Sequence, residues 1–428
     1  MVDEAPRYGW YGDDFTGATD TLATLAEAGR RALLFLRIPT PTQLASAGPL
    51  EAVGIAGATR AMAPEAMALE LDEAGRFFAR LGVGLLHYKC CSTFDSAPGT
   101  GSLGAAARAL KPHFPNRLLP IIGGQPNLGR YCLFGHLFAA AGAGGSVHRI
   151  DRHPTMSVHP VTPMGEADLR RHLAAQGMER IALVDYRSHD GDGAGQALDA
   201  ALADKPDSVL FDVSRPSDLM AIGALLRERM EAGPMLAIGA SSVAQAFAGF
   251  PQAARMGMPR LARPESGGNL LALVGSLSPV TRAQVELAAG YARIAIDPAR
   301  LTGEPAYLDA LCSETLTRLE RRNVMLITDR PAGAPAETGK VAAATGALLR
   351  AIMAEARIAR LVVAGGDTST LAIRSLALWG LSYRSPCTPG APLCRAHSDD
   401  PGLDGLDIVL KGGQMGTPDF FNHVAETG

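Results

Sequence analysis

The chain has 428 residues, too many for one ordinary core, so two domains is the default expectation. Its apolar share of 47% and charged share of 19% describe a globular protein with ample core material. A formal charge of −3 leaves no basic footprint for nucleic acid, and no apolar run reaches the roughly 18 residues, free of charges and turn residues, that a membrane span needs.

The chain opens Met1-Val-Asp-Glu-Ala-Pro-Arg7, charged and without an apolar leader, which predicts no secretory signal. Cys90, Cys91, Cys132, Cys312, Cys387 and Cys394 form no C-x-x-C pair or zinc framework. Free thiols in a reducing cytoplasm is the expectation.

Tyr8 to Gly12 reads as a strand, Gly12-Asp-Asp-Phe-Thr-Gly17 as a tight loop, and the Ala/Leu-rich run Thr21 to Ala28 as a helix stopped by Gly29. Adjacent carboxylates at a strand end suit a metal, a sugar hydroxyl or a proton. A solvated turn with a capping Asp has the same pattern. Strands are expected over Arg31–Arg37, Glu51–Ala56, Gly84–Lys89 and Leu118–Ile122, with helices over Pro64–Gly82 and Ser102–Leu110. Such alternation is the signature of a parallel sheet with helices on its faces. Residues 123–165, rich in Gly, Pro and His, break the rhythm and are expected to form an irregular excursion or flap. Alternation then resumes as far as a helix over Val243–Ala248.

Gly249–Gly268, rich in Pro, Gly and Arg, is the linker candidate. The expected domains are therefore 1–250 and 269–428, with a linker over 251–268. A second α/β series follows, with strands over Leu270–Val274, Ala292–Ile296, Val324–Thr328, Arg360–Ala364 and Asp407–Lys411. Its helices are expected over Thr281–Ala289, Ala306–Arg321, Val341–Ala356 and Leu371–Leu378. The fold class is α/β in two domains, each a mostly parallel sheet flanked by helices, with the active site expected in the cleft between them.

Ligands in open α/β sheets sit beyond the carboxyl ends of strands. Before the linker those ends carry Asp13, Asp14, Arg60, Lys89 to Asp95, Asp212 and Ala240-Ser-Ser242, groups suited to a hydroxylated acid. After it they carry Gly275-Ser-Leu-Ser278, Gly365-Gly-Asp-Thr-Ser369 and Gly412-Gly-Gln-Met-Gly416, glycine and hydroxyl loops suited to phosphates. One domain for a polar acid and one for a polyphosphate is the layout of a phosphotransferase.

Two familiar nucleotide motifs fail on spacing. Gly333 to Val341 has one residue too many for a P-loop and Val341 where a hydroxyl belongs. Gly191-Asp-Gly-Ala-Gly195, with Asp212 downstream, has its third glycine one place early for a dinucleotide fold. His136 and His159 show no metal-protease or facial-triad spacing. Asp14, Lys89 and Asp95 could equally form a structural ion-pair network, and Cys90 and Cys91 read as packing residues.

Several strings together resemble the four-carbon acid sugar kinases, whose members include 3-oxo-tetronate kinases and D-threonate or D-erythronate kinases. They are Asp13-Asp-Phe-Thr-Gly-Ala-Thr-Asp20, Lys89-Cys-Cys-Ser-Thr-Phe-Asp-Ser96, Gly135-His-Leu-Phe138 with His159-Pro-Val-Thr-Pro-Met164, and the glycine loops from Gly275 to the closing Gly412–Phe421 segment. The resemblance covers nearly the whole chain in order and is strongest toward the 3-oxo-tetronate branch. It implies an ATP- and Mg2+-dependent kinase acting on the terminal hydroxyl of a four-carbon sugar acid, 3-oxo-tetronate first and threonate or erythronate second. It implies ATP contacts at Ser276, Gly365, Gly366, Asp367, Thr368 and Gly412, and a substrate side at Asp13, Asp14, Arg60, Lys89 and Ser92. Asp13 or Asp14 would orient the hydroxyl as catalytic base, and Arg60 with Lys89 would hold the carboxylate. Metal-binding residues are left unassigned. Neither nucleic acid nor a membrane is an expected partner, and a homodimer stays open. The chain departs from the family pattern at Gly365-Gly-Asp-Thr-Ser-Thr370, Lys411-Gly-Gly-Gln-Met-Gly416, Ala58-Thr-Arg60 and Gly123–Arg130. The rival readings are an NAD-dependent dehydrogenase of a sugar acid, a non-catalytic sugar-acid-binding protein, and an aldolase or epimerase using Lys89.

Overall fold

The computed structural model describes residues 6–142, 144–159, 161–191, 193–249, 261, 268–275, 278–328, 338–365, 370 and 372–426. The chain divides into two compact units, Met1–Ala254 and Arg255–Gly428. The expected linker over 251–268 lies outside the described residues apart from Leu261 and Gly268.

In the first unit, β1 (Tyr8–Gly12), β2 (Ala32–Phe35), β3 (Ala52–Ala56), β4 (Leu85–Lys89), β5 (Pro120–Ile122), β9 (Ile181–Val184), β10 (Ser208–Phe211) and β11 (Met235–Gly239) form a parallel sheet. Its order is β2-β3-β1-β4-β11-β5-β10-β9. Strands β1, β3, β4, β5, β10 and β11 are buried along their whole length, which is why they read as continuous apolar runs. Helix α1 (Phe15–Glu27) begins at the Asp14 cap and buries Phe15, Ala18, Leu22 and Leu25. Helix α3 (Pro64–Leu81), which follows a short α2 (Pro41–Ser46), buries Met67, Leu71, Ala74 and Phe78 at helical spacing. It ends at Gly82, whose φ of 78° is the left-handed conformation glycine tolerates best. Close approach fixes two glycines. A Cβ on Gly54 would fall 2.1 Å from the Trp10 ring, and one on Gly57 would meet the Tyr11 hydroxyl.

The expectation of an irregular excursion at 123–165 is corrected. Residues Arg130–Leu133 (β6), His136–Ala140 (β7) and Val147–Arg149 (β8) form a three-stranded antiparallel sheet. The β6–β7 turn is Phe134-Gly135, with both φ angles positive at 51° and 80°. This is the hairpin geometry usually signalled by Asn-Gly. Here Asp212 supplies what the turn residue lacks: its carboxylate accepts the Phe134 N–H at 2.5 Å and the Gly135 N–H at 2.9 Å.

In the second unit, β12 (Asn269–Val274), β13 (Tyr291–Ile296), β14 (Asn323–Thr328), β15 (Ile358–Ala364), β16 (Leu378–Thr388), β17 (Ala391–Ser398) and β18 (Asp407–Lys411) follow the order β13-β14-β12-β15-β18-β17-β16. The first five in that order run parallel, while β17 runs antiparallel to both β18 and β16. Helices α4 (Pro279–Leu287), α5 (Pro305–Leu319) and α6 (Thr338–Glu355) lie near their expected positions, and α7 (Phe420–Ala425) lies in the closing segment. The β16–β17 hairpin was not foreseen. Of the helix expected over 371–378, residues 372–374 are helical, and the chain is already in β16 at Leu378. Pro386 sits inside β16, and the register shifts between Tyr383, Ser385 and Thr388 accommodate it.

Candidate active site

Strand β1 lies between β3 and β4, while the chain between β1 and β3 runs out to β2, so the connections diverge at β1 and β4. Such a switch point is where α/β sheets bind ligands, beyond the carboxyl ends of the strands. Asp13 and Asp14 leave β1 there. Asp14 caps α1: its carboxylate accepts from Gly17 N at 2.7 Å and from the Thr16 hydroxyl at 2.6 Å. Arg60, in the turn after β3, donates through Nε and Nη2 to Asp13 at 3.2 and 2.8 Å, and through Nη1 to Asp14 at 2.7 Å. One guanidinium thus bonds both carboxylates and grips Asp13 through two parallel bonds.

The two aspartates are 3% and 2% exposed, yet they titrate apart. Burial pushes the Asp13 carboxyl above its ordinary value and Asp14 adds repulsion, against the opposing pull of Arg60 and Lys89. Burial also acts on Asp14, but Arg60, Lys89 and the bonds from Thr16 and Gly17 outweigh it and hold Asp14 below its ordinary value.

Lys89 ends β4 and donates Nζ to Cys90 O at 2.7 Å. A Cβ on Gly17 would fall 2.4 Å from that Nζ and 2.7 Å from Asp14 Oδ1, so only glycine leaves the ammonium room beside the helix start. Ser92 is buried in the next turn, which Phe94 N closes onto Cys91 O at 3.0 Å. Phe94 has φ of 54°, a costly conformation for a side-chain-bearing residue. The loop is braced by Thr93 on Asp95 at 2.5 Å, by Ser96 on Phe94 O at 2.9 Å, and by His172 and Gln176 on Ser96 at 2.9 and 2.8 Å. Asp13, Asp14, Arg60 and Lys89 thus converge, and Ser92 lies on the loop leaving Lys89. Gln125, which donates to Asp20 at 3.1 Å, and the buried Arg130 belong to the same carboxyl-end region and were not assigned from sequence. The position of Gly123–Arg130 directly after a strand was the available signal.

The second unit repeats the switch point at β12 and β15. Gly365 leaves β15 with φ of 124° and donates its N–H to Lys411 O at 2.8 Å. Ser276, Gly366, Asp367 and Thr368 lie outside the described residues. Gly412 opens the loop after β18, and α4 holds that loop. The Ser278 hydroxyl and, at 2.9 Å, the Thr281 hydroxyl donate to Gly413 O. Gln284 donates to Met415 O and Thr417 O at 3.0 and 2.9 Å. Lys411, fully buried, donates to the Thr281 hydroxyl, Gly412 O and Met415 O at 3.0, 3.0 and 3.2 Å. Burial pushes this lysine down to about 7, while its three acceptors favour the ammonium.

Several polar groups prove structural. Asp212 serves the β6–β7 turn, so the acidic residue that a dinucleotide site needs is already engaged. His87 is held neutral by burial, with its pKa near 3, between the Tyr8 hydroxyl at 2.7 Å and Gly239 O at 3.0 Å. Burial raises the Cys90 thiol and takes Cys91 to about 11, which removes both as nucleophiles at neutral pH.

Residues 8–247 match a sugar-binding N-terminal domain model, and residues 271–421 match a nucleotide-binding C-terminal domain model. The protein is of the class that joins a sugar-binding α/β unit to a nucleotide-binding one. A 3-oxo-isoapionate kinase of Paraburkholderia graminis is 37% identical over 97% of this chain and 93% of its own length. A 3-oxo-tetronate kinase of Methylobacterium radiotolerans is 28% identical over 98% of both chains. A crystal structure from Salmonella typhimurium LT2 superposes with a TM-score of 0.74 at 27% identity, covering 98% of both chains. The chain belongs to the four-carbon acid sugar kinase family and is a phosphotransferase acting on a sugar acid. Among the described residues, no helix is long and apolar enough to cross a membrane.

Proposed function

We propose that this chain is an ATP-dependent kinase that phosphorylates the terminal hydroxyl of a 3-oxo sugar acid. The observation that carries the reading is the buried Asp13–Asp14 pair held by Arg60 at the first unit's switch point. Asp13, the carboxylate that does not cap α1, accepts the acceptor hydroxyl's proton and aims its oxygen at the γ-phosphate. Asp14 stays ionised and fixes the helix start. Lys89 and Ser92 line the acid's side, and Arg60 keeps two buried carboxylates compatible. Phosphoryl transfer needs positioning and charge neutralisation more than covalent help.

Ser276, Gly365, Gly366, Asp367, Thr368 and Gly412 are assigned to ATP, with Lys411 and Gln284 bracing the last loop. No group of three His, Cys, Asp or Glu side chains that could hold a metal occurs among the described residues. Mg2+ is assigned to the Mg·ATP substrate, since that ion binds through substrate phosphates more readily than in an all-protein cage. Relatives named for 3-oxo-tetronate and for 3-oxo-isoapionate share the 3-oxo acid, and the higher identity belongs to the latter. The test is an ADP-release screen with both 3-oxo acids, threonate and erythronate, in each available enantiomer. The reading expects ADP release with a 3-oxo acid well above the rest. No ADP release with any acid overturns it.

A further inference from the structure

One buried cation near the candidate site has no assigned task. Arg130 opens β6, after a stretch that runs directly off the end of β5. Its backbone is clamped to Gln125 by bonds of 2.9 and 3.2 Å, and the Gln125 side chain reaches Asp20 in α1. Arg130 is only 5% exposed. Its Nη1 donates to Leu128 O, its Nε has no partner, and no carboxylate among the described residues pairs with it. Burial pulls its pKa below the ordinary guanidinium value, against the opposing influence of Cys91 and Asp95. Those same two groups act on Arg60, so the Cys91–Asp95 turn lies within electrostatic reach of both guanidinium groups.

A buried guanidinium with an unmet donor is costly, and an anion bound there would offset that cost. The planar fork of N–H groups matches a carboxylate through two parallel bonds. Arg60 is committed to Asp13 and Asp14, so it is poorly placed to serve as that anchor. We infer that Arg130 binds the carboxylate of the sugar acid, while the Asp13–Asp14–Arg60 group takes its hydroxyl end. This assignment rests on the kinase reading and adds the residue that selects an acid over a neutral sugar.

The test compares binding of an acid and its carboxamide by titration calorimetry, without ATP. The probes are 3-oxo-tetronate, D-threonate and D-erythronate, each as acid and as amide. They are titrated into the wild-type chain, Arg130→Gln and Arg130→Lys, with melting curves for all three. The wild type is expected to prefer the acid. Arg130→Gln should weaken acid binding by about 100-fold and leave amide binding unchanged, so the preference disappears. Arg130→Lys, which keeps the charge but loses the fork, should restore part of it. If Arg130→Gln weakens acid and amide equally, or keeps the wild-type preference, the anchor is wrong and the kinase reading stands. If the wild type binds none of the three acids and releases no ADP in the screen, the kinase reading falls and the anchor with it.

Discussion

In the first unit β1 sits between β3 and β4, with β2 outside; in the second, β12 sits between β14 and β15, with β13 outside. The strand order is the same, and so is the place where connections diverge. What stands at the carboxyl ends differs. The first unit puts charged side chains there: Asp13, Asp14, Arg60 and Lys89, each bonded to another or to backbone at 2.7–3.2 Å. The second puts backbone there, with Gly365 and Gly412 at the strand ends and Lys411 buried beneath the loop. Side-chain forks suit a small acid with defined hydroxyl positions, whereas backbone N–H groups suit phosphates. One sheet topology thus offers two recognition chemistries, decided by the few residues after each strand.

The largest effect expected within this comparison is at Asp13. Asp13→Asn should lower turnover by about 10²–10⁴-fold, because the change removes a base. Asp14→Ala should instead cost about 1 kcal/mol of stability through loss of the α1 cap. Equal turnover losses in the two variants, with equal melting, would dissolve the distinction drawn between them.

Gly17→Ala comes next. Its Cβ would press on Lys89 Nζ and Asp14 Oδ1, and overpacking of this kind costs about 1–3 kcal/mol. Sugar-acid affinity and turnover should fall about tenfold, and nucleotide binding should not change. A loss of ADP affinity would blur the division between the units.

Lys411→Met tests the other side. It should weaken ADP binding by about tenfold and spare the acid. The lysine's pKa is pushed from 10.5 to about 7, so the ammonium is fullest below that value. Wild-type ADP affinity should fall as pH rises through about 7, while the variant's should be flat. Stability should move the other way. Between about 7 and 10.5 the unfolded chain binds the proton and the folded chain does not, so wild-type stability rises with pH there. Calorimetry and melting across pH 6–10 read both slopes. The smallest effect is at Tyr8→Phe, which removes the 2.7 Å bond to His87 and should cost about 1 kcal/mol with unchanged kinetics.

Much of this was legible in the sequence because parallel strands buried on both faces are apolar runs and their loops carry polar residues. Asp13, Asp14, Lys89, Gly365 and Gly412 could be placed at strand ends on that basis. The hairpins were not legible, for physical reasons. The Phe134-Gly135 turn depends on Asp212, distant in sequence, and β16 carries Pro386 within a strand. Arg60's pairing with both aspartates is likewise tertiary, since the turn after β3 must meet the loop after β1. Nothing in the spacing of Gly123–Arg130 reveals that the arginine is buried with an unmet donor.

The most direct measurement is 31P NMR of the protein incubated with ATP, Mg2+ and the 3-oxo acid that releases ADP. A phosphomonoester signal split by two terminal protons, growing in step with ADP, is the predicted result. ATP consumed only to inorganic phosphate, with no phosphomonoester formed, would contradict the account.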